Sequence, residues 1–229
     1  LIDHYDWRGG REAMLRFGPT NGPIVVIAMP LFEEANRTRA FVVTLCRALA
    51  AREVASALPD LPGQGESVLP TDDARLDDWR AAFAAAAGNI GRHVHGVALR
   101  SGAAIDGEAR LESRWRLSPL PGAAALSELR RAASTGGTAI PVQPGADCPP
   151  LLLAGNRIAP PLFNALTDDG AVAVPDGPLR TVRLVSDPQP ADRKVDAAPL
   201  WRRAEPGNDP ALAALLADDI AAWIARCGG

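Results

Sequence analysis

A serine just beyond a buried strand is the first group in this chain that could do covalent chemistry. Val94–Leu99 is apolar enough to be such a strand, and it runs straight into Arg100-Ser101-Gly102. A serine hydroxyl attacks well only when a histidine within hydrogen-bond reach takes its proton and a third group orients that histidine. The chain has three histidines, His4, His93 and His95, and all precede Ser101. Beside the serine, Arg100 offers a planar guanidinium that stays protonated, carries donors only and suits an anionic or carbonyl-bearing ligand. Carboxylates that can pair with a guanidinium, or serve as bases once buried, stand at Glu33, Glu34 and Glu205. Asp187, within Ser186-Asp187-Pro188, follows a further candidate strand.

Other chemistry is poorly supplied. His93-x-His95 puts two imidazoles on one face of a strand or its entry, but no nearby third ligand completes a metal site, so no metal is expected. Gly63-Gln64-Gly65 begins like a dinucleotide fingerprint whose third glycine should fall at position 68, which is Val68; no cofactor is expected. Cys46, Cys148 and Cys227 are an odd number without C-x-x-C spacing, which argues against a disulfide framework and for a reducing cytoplasm. The acidic doublets Asp72-Asp73, Asp168-Asp169 and Asp218-Asp219 read as capping or solvated positions.

The elements that must carry these groups alternate in type. Arg11–Phe17 alternates like an outer strand, and after a turn the apolar run Ile24–Met29 reads as a strand buried on both faces. Phe41, Val42, Leu45 and Leu49 recur at helical spacing within Thr38–Ala51, and Val54–Leu58 follows as a strand. Leu76–Ala87 and Ala123–Ala133 are helices by composition; Arg114–Leu117 and Leu179–Val185 are strands; Pro161–Leu166 is a short helical segment. In the last element Asp209 caps, Pro210 takes the first helical position and Leu212, Leu215, Leu216, Ile220, Trp223 and Ile224 form a core-facing stripe. Strands alternating with helices imply an α/β protein with a mainly parallel central sheet flanked by helices. At 229 residues the chain fits one domain, residues 1–229, with a loop-rich insertion near 134–150. A net charge of −3, from 24 basic and 27 acidic residues, lacks the basic footprint of a nucleic-acid binder. No run approaches the length of a membrane span, and Leu1-Ile2-Asp3-His4 lacks a signal-peptide pattern. The chain begins with Leu1 and not Met, which leaves its natural start open.

The order of elements, together with Asp60-Leu61-Pro62-Gly63-Gln64-Gly65-Glu66-Ser67 and a strand entering a turn of small residues, resembles the α/β-hydrolase fold. Four segments narrow the resemblance: Met29–Arg39, Ala98–Gly102, Trp115–Pro119 and Pro199–Glu205. They look like the exosortase A system-associated hydrolases, in particular the second group of that family. The resemblance covers roughly Pro23 to Trp223 and implies a bacterial protein similar to esterases, found alongside exopolysaccharide and protein-sorting systems.

The resemblance also defines what should stand where. A nucleophile elbow has small residues two positions either side of its nucleophile, and on Ala98-Leu99-Arg100-Ser101-Gly102 that centre is Arg100. Ser101, one residue on, falls where the fold supplies a backbone N–H to the oxyanion hole. Asp187 lies near the acid position, and the histidine position is taken by Glu205. Arg100 and Glu205 would then face each other across the strand ends and could pair, with Glu33 and Glu34, on the loop forming the other half of the oxyanion hole, as alternative partners. Leu31, Phe32 and Trp201 are expected to line the same cleft. The leading expectation is a hydrolase-family pseudoenzyme without the Ser-His-Asp triad, binding a small molecule or protein partner of unknown identity. One alternative is an active esterase in which Ser101 or a water is activated by Glu33, Glu34 or Glu205. Another is an oligomeric or protein-partner module using the 134–150 insertion.

Overall fold

The unbroken apolar run that predicts a doubly buried strand forms β3 (Ile24–Ala28) in a computed structural model of the chain. The structure describes residues 1–91, 93–134, 143–145, 147–168, 170–172, 174 and 176–228. Residues 135–142 and 146, within the expected insertion, lie outside them.

β3 runs parallel between β4 (Ala55–Pro59) and β5 (Val94–Leu99), and the parallel sheet continues through β6 (Arg114–Leu117), β9 (Leu179–Leu184) and β10 (Arg193–Val195). At the other edge β2 (Gly10–Phe17) pairs antiparallel with β4, and β1 (Ile2–Trp7) pairs antiparallel with β2. The resulting order is β1-β2-β4-β3-β5-β6-β9-β10. A separate hairpin joins β7 (Leu151–Leu153) and β8 (Asn156–Ile158).

Because successive side chains of a strand point to opposite faces, β3 feeds two cores. Val25 and Ile27 meet α1 (Glu33–Ala50) and α5 (Pro210–Cys227), through Phe41, Leu45, Leu49, Leu216 and Ile220. Val26 and Ala28 meet α2 (Leu76–Ile90), α3 (Gly122–Ser134) and α4 (Pro160–Asp168), through Trp79, Phe83, Leu126, Leu129 and Phe163. The apolar stripes at helical spacing are thus the faces that cover the sheet. At the start of α5 the Asp209 carboxylate accepts the Leu212 N–H at 2.9 Å, and Pro210 opens the helix.

Several elements add to or depart from the sequence expectation. β1 carries a single fully buried side chain, Tyr5, so its sequence has no alternation to reveal it. The small residues after β5 form a 3₁₀ turn, Arg100–Ala104, that stops before Asp106-Gly107. α1 begins at Glu33, five residues before the expected segment Thr38–Ala51, with Glu33 and Glu34 in a first turn where the helix dipole favours negative charge.

Two of the three acidic doublets are more than solvated; in the third, Asp168 is exposed and Asp169 lies outside the described residues. Asp219, on α5, is 6% exposed and accepts from Trp115 Nε1 at 2.8 Å, from Arg180 at 2.7 and 2.8 Å, and from Arg193 at 2.7 Å. Burial pushes this carboxyl up, but its hydrogen bonds to Arg180, Trp115 and Arg193 outweigh that and hold it far below the usual range. One α5 side chain thereby ties together β6, β9 and β10. Asp72 and Asp218 pair with Arg157 and Arg52. On the other face of β6, Arg116 and Asp106 form a pair with both side chains 2% exposed, closed by contacts of 2.6 and 3.0 Å.

Removing one partner of such a network leaves buried charges uncompensated, at a cost of about 3 kcal/mol. Asp219→Ala is therefore expected to lower the urea midpoint by the equivalent of about 3 kcal/mol. A change smaller than about 0.5 kcal/mol would show that apolar packing alone holds α5 to the sheet.

Candidate functional site

The carboxyl ends of β3, β5, β6 and β9 meet around the sharp turn after β5. Arg100 is the first residue of that turn and has a positive φ of 53°, a left-handed conformation that costs a bulky residue energy. The turn is pressed against the end of β3: a Cβ on Gly102 would overlap the carbonyl oxygens of Ala28 and Met29. Only glycine fits there, and this contact fixes where Arg100 points.

The Arg100 side chain is 7% exposed, and it is compensated from two helices. Glu34, in the first turn of α1, accepts from Arg100 Nε at 3.2 Å and from Nη2 at 3.0 Å. Glu128, on α3, accepts from the same Nη2 at 2.9 Å. The guanidinium also lies over the Trp201 ring, 4.7 Å from its centroid, a cation–π contact. Burial pushes the Glu34 carboxyl up to about 7; Arg100 pulls it down, and the neighbouring Glu128 pushes it up again. Two carboxylates thus share one cation.

Ser101 is fully buried, and its hydroxyl accepts the Leu31 N–H at 2.9 Å. An oxyanion hole in such a turn would take one donor from the residue after the nucleophile and one from the loop that Leu31 occupies. Here the Leu31 donor is engaged by a side chain.

The other sequence candidates fall in different places. Glu33 pairs with Arg37 on its own helix at 3.2 Å. Glu205 corrects the expectation of a partner for Arg100: it is exposed and makes no ion pair among the described residues. The 3₁₀ turn Leu200–Arg202 presents Trp201 to the guanidinium instead, and the chain has already turned outward by position 205. Asp187 accepts from Arg183 at 2.7 Å and from the Gln189 N–H at 3.0 Å. Burial pushes Asp187 up, but its contacts with Arg183 and the Gln189 N–H, with help from Arg100, bring it below its ordinary value. His95 bonds to Ser113 at 2.9 Å and His93 faces Glu112 at 3.2 Å, so neither turns toward Ser101. Burial lowers the His95 pKa, and the His93 charge adds to this against Glu112. Among the described residues no group of three His, Cys, Asp or Glu could hold a metal, and no helix is long and apolar enough to cross a membrane.

Two cavities flank the Arg100 cluster. The larger, about 550 Å³, is lined by Arg100, Glu128, Asp187 and Trp201 among others. The smaller, about 470 Å³, is lined by Leu31, Phe32, Glu33, Glu34, Glu128 and Trp201. Glu128 and Trp201 form part of both walls. Glu128 is the residue that sequence reasoning missed: the helix was legible, but nothing local marks which of its polar residues hangs over a turn 28 positions earlier.

No known family profile matches the chain, and no curated protein matches its sequence. Solved structures do match its shape. Est1E from Butyrivibrio proteoclasticus is similar over 99% of this chain and 98% of its own, with a TM-score of 0.61 and 14% identity. The bottromycin epimerase BotH, solved in complex with bottromycin A2, is similar over 97% of this chain and 99% of its own, at 0.59 and 16%. A putative hydrolase from Agrobacterium vitis S4 covers 98% of each, at 0.56 and 14%. At such identities the likeness is one of fold. Joined to the observed strand order, it defines this chain as an α/β-hydrolase-fold protein.

The shared carboxylates give a pH dependence with a definite sign. The native state keeps the Glu34 proton up to about 7, whereas the unfolded chain releases it near the ordinary glutamate value. Glu34's contribution to stability therefore falls as pH rises through that window. Denaturant melts across the window should show a shallower decline for Glu34→Gln than for the wild type; parallel curves would mean that Glu34 is ionised throughout.

Proposed function

We propose that this chain has left Ser-His-Asp hydrolysis and binds a small molecule in the cleft above Arg100. The observation that carries the reading is the guanidinium at the turn where a nucleophile would stand, held at positive φ and clamped by Glu34 and Glu128. A permanently protonated donor cannot attack an ester. The buried Ser101 hydroxyl, bonded to the Leu31 N–H, adds support, as does the placement of the histidines: His93, just before β5, and His95, within it, engage Glu112 and Ser113, and His4 lies on β1 at the sheet edge. That BotH, with the same fold, is named an epimerase supports uses of this fold other than hydrolysis. The resemblance of the Met29–Arg39, Ala98–Gly102, Trp115–Pro119 and Pro199–Glu205 segments to exosortase A system-associated hydrolases supports an accessory role beside bacterial exopolysaccharide or protein-sorting systems.

A second reading, residual acid–base catalysis by Glu34, has one observation behind it: a carboxyl pushed up to about 7 on the wall of a cavity. In that reading Glu34 activates a water, and Glu34→Gln abolishes turnover of an activated aryl ester.

Intact mass after incubation with a serine-directed fluorophosphonate separates these readings from conventional hydrolysis. Folded wild-type protein is expected to gain no adduct. A stoichiometric adduct that disappears in Ser101→Ala would make Ser101 an activated nucleophile and sink the binding-protein reading.

A further inference from the structure

The larger cavity has an uneven charge balance. Three guanidiniums line it, those of Arg100, Arg183 and Arg202, against the two carboxylates Glu128 and Asp187. Arg100 gives its Nε and Nη2 hydrogens to Glu34 and Glu128, and its Nη1 makes no hydrogen bond among the described residues. Arg183 gives Nη1 to Asp187, while its buried Nε has no partner. Arg202 is exposed at the rim, and its side chain makes no ion pair among the described residues. The remaining wall is largely apolar, with Leu120, Val172, Leu184 and Trp201 joined by four prolines.

The geometry points to a small monocarboxylate with an apolar aryl or alkyl body as the ligand of this cavity, its carboxylate on Arg100 Nη1 and Arg202 and its body along Trp201 and the prolines. This rests on the reading of the Arg100 cleft as a binding site. A guanidinium face with free N–H donors matches a carboxylate in shape and charge. A ligand cation would meet three guanidiniums. A dianion would bring a second negative charge against Glu34 and Glu128, where only one unit of positive charge is in excess in the lining. The volume, about 550 Å³, suits a drug-sized molecule.

The same cluster makes the binding pH-dependent. Glu34 faces Arg100 from the turn and Glu128 from α3; Arg131 of α3, Glu33 and Arg37 of its own helix and Arg202 share the adjoining cavity wall. With Glu34 protonated, the charges of Arg100 and Glu128 cancel. With it ionised, the three groups together carry one negative charge and repel an incoming carboxylate.

Calorimetric titration of the whole chain with cinnamate and octanoate, each against its amide, tests the proposal at about pH 6 and about pH 8. At least one carboxylate is expected to saturate below roughly 10 mM, with its amide at least about tenfold weaker. Its affinity should fall on the order of tenfold from the lower pH to the higher. Arg100→Gln should abolish binding; Arg202→Ala, at an exposed position that leaves the fold intact, should weaken it several-fold. Equal binding of acid and amide, no carboxylate binding below roughly 10 mM, an affinity indifferent to pH, or full affinity in Arg202→Ala would each overturn the proposal. A fluorophosphonate adduct at Ser101 would instead overturn the reading beneath it, whatever the titrations give.

Discussion

A guanidinium that cannot lose its proton, set on a sharp turn at the middle of a parallel sheet, must be compensated where it stands. Taking such an ion out of water costs several kcal/mol unless opposite charge and hydrogen-bond acceptors come with it. Much of the local architecture meets that demand. α1 starts early enough for Glu34 to reach Arg100, α3 docks with Glu128 facing inward, and the chain before α5 folds into a 3₁₀ turn that lays Trp201 against the cation. Two helices on opposite faces of the sheet and one connecting segment are therefore coupled through a single side chain.

The same logic recurs on β6. Its residues alternate between faces, so Arg116 enters the core shared with α2, α3 and α4, where Asp106 meets it, while Trp115 enters the opposite core, where Asp219 meets it. Asp219 also gathers Arg180 and Arg193, which makes the far edge of the sheet an electrostatic assembly as much as an apolar one. The side of the sheet that carries the cleft is thus framed by buried charge pairs. Their geometry is directional where apolar contacts are not, and that favours one arrangement of the strand ends.

Much of the framework was legible in the sequence because burial leaves a periodic trace. β3 and β5 read as strands through continuous apolar runs, and α1 and α5 as helices through stripes at helical spacing. β1 and β10 left no such trace, since each has one buried residue, Tyr5 and Val195. In the cleft, Arg100 was legible because its flanks are small and a strand leads into it. Which carboxylates would meet it was not. Glu33 and Glu34 are identical in type, and only the phase of α1 turns one inward and the other toward Arg37. Glu128 approaches through tertiary docking of α3, and Glu205 lies on an exposed stretch beyond the turn that presents Trp201. Charge partners across elements have no sequence period to announce them.

The bond from the Leu31 N–H to the Ser101 hydroxyl bears on what a substitution at the turn would do. Placing a serine at position 100 would set a hydroxyl on the turn but would strip Glu34 and Glu128 of the cation they share. Two neighbouring carboxylates would then oppose any oxyanion forming there, while one of the donors meant to stabilise it would remain latched to Ser101. No histidine would be at hand. The positions around Arg100 are interdependent: a single substitution at any one of them leaves its neighbours with an unmatched charge or hydrogen bond.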